Sequence, residues 1–317
     1  MIEYKEVGGR MKTNVIYQGK FQEQADKVEP GSVDLILTDP PYGIIDNYDG
    51  CEWDEAISPI EIFETANRIL RKNGRLILFS KEPYTTELMK NKPANLTFNQ
   101  KAIWVKDVHG NGAQLKCNKA LLGYYEEIMI FSKQNPINET EFIHPLRKYF
   151  TKVKEFISKP KTSIMDKIGQ KVDHTFRVDS TQFSLCTQET YQELIDIFDI
   201  DQMEGFRKYS GLEQVDEHTK NKMSSTFNLP KGQEYKEDVF NYSRVYNKKH
   251  PTQKPVALLG DLIKTYTNEG DLVVDLTAGS GSTGVVARYW GRKYILIERK
   301  QEYIDIAKKR LNEQKLV

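Results

Sequence analysis

The chain has 317 residues, 38% of them hydrophobic, enough for one large domain carrying an addition and for a core of real size. Lys and Arg (46) and Asp and Glu (45) almost cancel, which excludes the overall basic excess that draws a protein to nucleic acid, so any such surface must be local. Cys51, Cys117 and Cys186 form no CxxC pair and the 5 histidines reach no metal-ligand spacing, which argues against a disulfide framework or structural metal and for a reduced, intracellular protein.

The N-terminal MIEYKEVGGRMK is too polar for a signal peptide, and no apolar run is long enough to span a bilayer, so the expectation is a soluble, cytoplasmic protein with no membrane partner. Val33, Leu35, Ile36 and Leu37 form a short β-branched apolar run that reads as a buried strand, stopped by Asp39-Pro40-Pro41. Ile60, Phe63, Ala66, Ile69 and Leu70 fall at helical spacing, with Asn73-Gly74 as the stop. Strands are expected at 75–80, 101–105 and 128–131, and the alternation of strand with helix predicts an α/β fold with a doubly wound, mostly parallel sheet. Over 134–246 the periodicity weakens and charge becomes dense, with a good amphipathic helix only at 191–200; this stretch reads as an insertion. The α/β pattern then resumes. Pro255 suits a first helical turn, Leu259, Leu262, Ile263 and Tyr266 make an apolar stripe, strands follow at 272–276 and 294–297, and Ile304, Ala307 and Leu311 line a last helix. Residues 14–133 and 247–317 are therefore expected to be two halves of one α/β domain around the 134–246 insertion.

Two motifs carry chemistry. Asp275-Leu276-Thr277-Ala278-Gly279-Ser280-Gly281-Ser282-Thr283-Gly284 lies between a strand and a helix, and Glu298 ends the next strand. Glycines let the backbone approach a ligand, and an acid at the neighbouring strand tip can accept hydrogen bonds from both ribose hydroxyls, so the segment suits a nucleoside cofactor. GSGSTG also spells the dinucleotide fingerprint of a nicotinamide-dependent dehydrogenase. Against that, only about thirty residues follow Gly284, whereas the fingerprint belongs in the first βα turn, and Asp275 would repel a pyrophosphate but suits a cofactor with a cationic amino-acid part. The second motif is Thr38-Asp39-Pro40-Pro41-Tyr42-Gly43. An adenine amino group is a poor nucleophile because its lone pair is delocalised into the ring. The Asp39 carboxylate and the Pro40 carbonyl can accept its two N–H bonds and favour a pyramidal nitrogen. Two prolines make a rigid turn, and Tyr42 offers an aromatic face for the base.

In this order, with the DPPY segment first and the Gly-rich segment last, the chain resembles the β-class DNA amino-methyltransferases, most of all those acting on adenine N6. The resemblance covers 14–133 and 247–312. His250-Pro251-Thr252-Gln253-Lys254-Pro255 is similar to the family's HPTQKP element, DLTAGSGST at 275–283 to its DPFxGSGTT segment, and YEEIMIFSK at 125–133 to its HE-initiated strand with Tyr125 in place of His; Trp53-Asp54 and WVK at 104–106 are weaker echoes. One departure is Lys20 after Gly19, where the family commonly carries an Asp near the cofactor adenine.

The resemblance implies a permuted, Rossmann-like methyltransferase fold with an inserted recognition region. It implies S-adenosylmethionine held by Asp275, Thr277, Ala278, Gly279, Ser280, Gly281, Ser282, Thr283 and Glu298, with Lys254 neutralising the cofactor carboxylate. Catalysis falls to Asp39, Pro40, Pro41 and Tyr42, acting on a base flipped out of double-stranded DNA. Cytosine-N4 and RNA adenine methylation use the same amino chemistry; a catalytically idle DNA-binding protein is the alternative from another class. The resemblance is compatible with a homodimer and with a cognate restriction endonuclease.

For DNA contact the charge map points to residues 144–177, where nine Lys or Arg face three acids and Tyr149 and Phe156 are interleaved. Arg147, Lys148, Lys152, Lys154, Lys159 and Lys161 are the candidates there, with Arg207 and Lys208 as a second cluster. The six acids of 189–204 are expected to face away from the duplex.

Overall fold

The computed structural model describes residues 12–43, 56–107, 118, 121–134, 144–180, 182–223, 225–246 and 253–313, and the statements below concern these. Cys51, Trp53, Asp54, Cys117, His250, Pro251 and Thr252 lie outside them. The chain divides into two compact units, residues 1–134 with 225–317, and residues 135–224.

The first unit opens with β1 (Val15–Gln18), α1 (Phe21–Ala25), β2 (Val33–Thr38), α2 (Pro59–Ile69), β3 (Leu70–Ser80), α3 (Tyr84–Asn91), β4 (Leu96–Val105) and β5 (Tyr125–Lys133). The second unit contributes α4 (Pro145–Ile157), α5 (Lys161–Ile168), α6 (Gln188–Phe198) and α7 (Tyr209–Met223). The first unit then resumes with β6 (Val239–Asn241), α8 (Val256–Tyr266), β7 (Leu272–Asp275), α9 (Ser282–Tyr289), β8 (Lys293–Glu298) and α10 (Gln301–Asn312).

Its eight strands form one sheet in the order β1-β8-β7-β2-β3-β5-β4-β6. From β1 to β3 every pair is parallel, as the strand-helix alternation predicts. Both faces are covered: Ile36, Leu76, Leu78 and Val274 pack with Ile62 and Phe63 of α2, while Leu35, Leu37, Ile77 and Val273 pack with Leu258, Leu262 and Ile263 of α8. That double burial is why β2 reads as an unbroken apolar run rather than an alternation. The sheet is mostly parallel, as expected, and turns mixed beyond β3, where β5 returns antiparallel between β3 and β4. Among the described residues no crossover helix separates β4 from β5, and a chain returning without one pairs antiparallel.

Asn73-Gly74 is not the gap between helix and strand. The strand already starts at Leu70, and the pair makes an irregularity within it, the register jumping from Val33 opposite Leu70 to Leu35 opposite Arg75. A Cβ on Gly74 would sit 2.9 Å from the Arg71 carbonyl oxygen and 3.0 Å from that of Val33, so only glycine fits there.

The second unit has its own core of Leu146, Phe150, Val153, Ile164, Tyr191, Leu194 and Leu212. It contains α4, which the sequence reading overlooks. Leu146, Tyr149, Phe150, Val153 and Ile157 recur at i, i+3, i+4, i+7 and i+11, but a lysine-rich outer face masks the stripe. Residues 225–246 pack with the first unit rather than with the insertion. β6 pairs with β4, Phe240 joins the core beside Trp104, and the Trp104 indole N–H donates to the Tyr242 carbonyl at 2.7 Å. Among the described residues no helix is long and apolar enough to cross a membrane.

Candidate active site

The pairing of β2 with β7, Leu35 opposite Val273 and Ile36 opposite Val274, brings the ends of two strands together that lie more than two hundred residues apart in sequence. Asp39 follows one and Asp275 ends the other. A hydroxyl pair, Thr38 Oγ1 to Thr277 Oγ1 at 2.8 Å, joins the turns, and the Thr277 hydroxyl donates to the Asp39 carbonyl oxygen at 3.0 Å. The DPPY turn and the Gly-rich loop thus share one strand-end crevice, where an open α/β sheet binds ligands.

Asp39 is held from two sides. The Tyr42 hydroxyl donates to Oδ1 at 2.5 Å and the Lys254 ammonium donates to Oδ2. Tyr42 rests on the core with its ring 5.7 Å from that of Tyr84, and Pro40 is buried. Lys254, expected to neutralise the cofactor carboxylate, stands here among side chains of the protein. It is 7% exposed and lies between Asp39 and Glu126, 3.2 Å from Glu126 Oε2, with its charge 4.9 Å above the Phe79 ring. Glu126 also accepts from Lys106, whose ammonium lies 4.9 Å above the Trp104 ring. Burial pushes the Asp39 carboxyl up; Lys254 opposes this, the Glu126 charge adds to it, and the net direction is upward. Burial acts likewise on Glu126, but Lys254 and Lys106 together outweigh it and hold that carboxyl below its ordinary value.

The Gly-rich loop is fixed by its own surroundings. Glu298 accepts from the Gly279 N–H through Oε2 and from the Lys300 N–H through Oε1, each at 2.8 Å. Gly281 has φ +75°, and a Cβ there would lie 2.6 Å from the Ala307 Cβ, so α10 packs directly on the loop. Buried Arg310, which the sequence reading does not single out, donates to the Ser280 carbonyl at 2.7 Å and to the Ser280 and Ser282 hydroxyls at 3.0 and 2.9 Å. Asp275 is likewise engaged internally, accepting from the Thr277 N–H at 3.1 Å and the Thr283 hydroxyl at 2.6 Å. Asp275, Ser280, Ser282 and Thr283 therefore brace the loop. Ala278 and Gly279 form its turn. Gly19, with φ +141°, donates from its N–H to the Glu298 carbonyl at 3.0 Å, which leaves exposed Lys20 next in chain where the family commonly has Asp.

Burial pushes the Asp275 carboxyl up to about 6 against the hydrogen bonds from Thr283 and Thr277. A carboxyl raised in the fold binds its proton more tightly there than in the unfolded chain. Its stabilising contribution is therefore complete below about pH 4 and is lost as pH rises through about 6. The unfolding free energy of the wild type minus that of Asp275→Asn should fall by up to about 3 kcal/mol between pH 4 and pH 7, read by urea denaturation. A flat difference would mean that Asp275 ionises as freely in the fold as outside it.

The expected DNA-contact residues separate into two groups. Arg147 is buried, its Nε donating to the Val178 carbonyl, and Tyr149 is core rather than surface. Lys161 and Arg177 pair with Asp173, and Lys171 meets Glu193 at 2.6 Å, so the acidic helix α6, expected to face away from a duplex, neutralises part of the basic block. Lys148, Lys152, Lys159 and Lys167 are exposed, as is Phe156 at 41%, one helical turn beyond Lys152. Arg207 and Lys208 are exposed, Arg207 lying 6.0 Å above the Tyr149 ring.

A family model described as DNA methylase, of the N6/N4 methyltransferase type, matches residues 33–309. Over 310 residues, 96% of this chain and 84% of the relative, the chain is 27% identical to the DNA adenine methyltransferase YhdJ of Escherichia coli K12. A stretch of 64 residues, 20% of this chain, is 55% identical to the type II methyltransferase M2.LlaDCHI of Lactococcus lactis subsp. cremoris, and that match spans about a quarter of the relative's length. Among solved structures, M1.HpyAVI in complex with SAM aligns with a TM-score of 0.52 at 19% identity, over 94% of this chain and 98% of that one. The PvuII DNA methyltransferase, cytosine-N4-specific, aligns with a TM-score of 0.52 at 15% identity, over 95% and 87%. The chain shares their fold.

Proposed function

Since the chain belongs to the N6/N4 DNA methylase family, whose model spans most of its length, we propose that it transfers a methyl group from S-adenosylmethionine to the N6 amino group of adenine in DNA. The observation that carries this reading is the β2–β7 pairing, which sets the DPPY turn beside the Gly-rich loop. Adenine is favoured by the near full-length likeness to a DNA adenine methyltransferase. Cytosine N4 is the second reading, because a cytosine-N4-specific enzyme shares the fold.

The residues around the loop fit the cofactor. The Glu298 carboxylate at the β8 tip is partly exposed and retains lone pairs for ribose hydroxyls beyond the two backbone N–H groups it already serves. When bound, S-adenosylmethionine supplies an electrophilic methyl group. Asp39 and the Pro40 carbonyl then accept the two N–H bonds of the target amino group and turn its lone pair away from the ring. Tyr42 gives the base a face to stack on while its hydroxyl steadies Asp39. The methylated nitrogen becomes acidic and releases its proton to Asp39 or to water. Rate gain in such a site comes mainly from positioning and from charge fixed in advance.

The insertion supplies the phosphate contacts in this reading, through Lys148, Lys152, Lys154 and Lys159 on and just after α4, and Arg207 and Lys208 before α7. Changing the four lysines to Gln should weaken binding to all DNA sequences alike and flatten the dependence of log K on log salt by close to one unit per lost contact, about four at most. An unchanged slope would make α4 a solvated face. A homodimer and a cognate restriction endonuclease, like action in the cytoplasm where such DNA lies, belong to this proposal. Incubating the protein with labelled cofactor and, in separate reactions, DNA from an unmodified host and RNA, then digesting to nucleosides for mass spectrometry, tests the reaction: label on N6-methyladenine in DNA supports it, label on N4-methylcytosine moves the target, and label only on RNA or on neither overturns it.

A further inference from the structure

Four charges stand in a row in the first unit: Lys106 just past β4, Glu126 on β5, Lys254 ahead of α8 and Asp39 just past β2. Their side chains are 11%, 15%, 7% and 19% exposed. Two carboxylates balance two ammoniums, so the row is neutral and can be buried, where an unbalanced member would be strongly destabilising. The sheet assembles it. β4 and β5 set Trp104 opposite Glu126, the Lys106 N–H donates to the Tyr124 carbonyl at 2.7 Å, and the two ammoniums rest over Trp104 and Phe79.

The arrangement matters for Asp39. A carboxylate locked one-to-one with a buried ammonium is a poor acceptor, because its charge is already spent on the lysine. Here Lys254 is shared, and its second partner is another carboxylate. We infer that Glu126, backed by Lys106, is a positioning residue for methyl transfer: it draws part of the Lys254 charge away from Asp39 and so keeps Asp39 able to accept the amino N–H bonds and the departing proton. This rests on the reading of Asp39 as the acceptor of the target amino group. The upward direction of the Asp39 pKa and the contribution of the Glu126 charge to it accord with the geometry. The other charged or titratable groups acting on this row are Tyr42 on Asp39, Asp275 across from Asp39 on β7, and Arg244 near Lys106.

The test is the pH dependence of kcat with labelled S-adenosylmethionine and DNA from an unmodified host, in three full-length proteins. Glu126→Gln keeps the shape and removes the charge. Lys254 then commits to Asp39, the acid limb should move down by about one pH unit, and the plateau kcat should fall about tenfold. KM for S-adenosylmethionine should change by less than about twofold, because no cofactor contact is altered. Lys106→Met removes the counter-charge behind Glu126, which then pulls harder on Lys254, and the acid limb should move up instead. Opposite displacement by the two variants is the signature, since merely loosening the site would lower kcat in both without moving the limbs apart. Limbs coincident with the wild type, or shifted the same way, overturn the inference. If Glu126→Gln fails to give a cooperative thermal transition, Lys106→Met decides alone, an unmoved or lowered limb overturning it. A wild type that leaves no methyl group on a base amino nitrogen would instead bring down the reading of the reaction, a result distinct from either pattern in active enzymes.

Discussion

Asp39→Ala is expected to lower the rate of methyl transfer by about a thousandfold while the affinity for S-adenosylmethionine stays within a few-fold of wild type. The carboxylate contributes where the amino nitrogen becomes pyramidal and its N–H bonds strengthen as donors, so its loss is felt in the transition state far more than in binding. The structure adds a second expectation. Asp39 is one of two partners of a buried lysine, so Ala leaves Lys254 with Glu126 alone and should cost stability, up to about 3 kcal/mol as for other broken buried pairs. Single-turnover kinetics with calorimetric cofactor titration, at a temperature where urea denaturation shows the variant folded, separates the two effects. Turnover within tenfold of wild type would remove Asp39 from the chemistry.

Glu298→Ala should weaken S-adenosylmethionine binding by about 10- to 150-fold, equivalent to about 1.5 to 3 kcal/mol. Two losses combine. The ribose hydroxyls lose a charged acceptor, and the Gly279 N–H loses the carboxylate oxygen that holds the loop in shape. Glu298→Gln retains an oxygen acceptor and should lie between the wild type and Ala, a graded series that a simple unfolding effect would not produce. Calorimetry on the three proteins reads it, and equal affinities would take Glu298 out of the cofactor pocket.

What the sequence discloses about this site follows from which residues are chemically conspicuous. Asp39-Pro40-Pro41-Tyr42 and the Gly279 to Gly281 turn are legible because proline and glycine limit or free the backbone in ways that need a reason, and each abuts an apolar strand. The partners of those motifs are not legible. Glu126 is one acid of a pair, beside Glu127, in a strand that alternates little, and its role arises only when β5 lies antiparallel to β4 and lifts it toward Lys254. Lys106 and Lys254 look like solvated lysines until sheet pairing buries them. Arg310 sits among Lys308 and Lys309 at the end of an amphipathic helix, and nothing local says that it turns inward to Ser280. The echoes WVK, YEE and HPTQKP contain Lys106, Glu126 and Lys254, which the structure links into a chain of ion pairs ending on Asp39. In the insertion the error runs the other way: a high lysine count hides a regular helix and suggests more free positive charge than the ion pairs to Asp173 and Glu193 leave.

The strand order has a consequence for how the molecule is made. β1 and β2 are close in sequence, yet two strands stand between them, and those two, β8 and β7, come from residues 272–298, far downstream. While the chain emerges from the ribosome, β1 has no neighbour, and β2 can pair only on its β3 side. An apolar strand edge therefore stays unpaired until residues 272–298 have been made, the circumstance in which nascent chains associate wrongly or need chaperones. The centre of the sheet closes only when the parallel β7-α9-β8 unit fills the gap between β1 and β2, a step of high contact order that is slow by nature. Because the same step brings the Gly-rich loop to Asp39, a chain without β7 and β8 cannot assemble the crevice between the two turns.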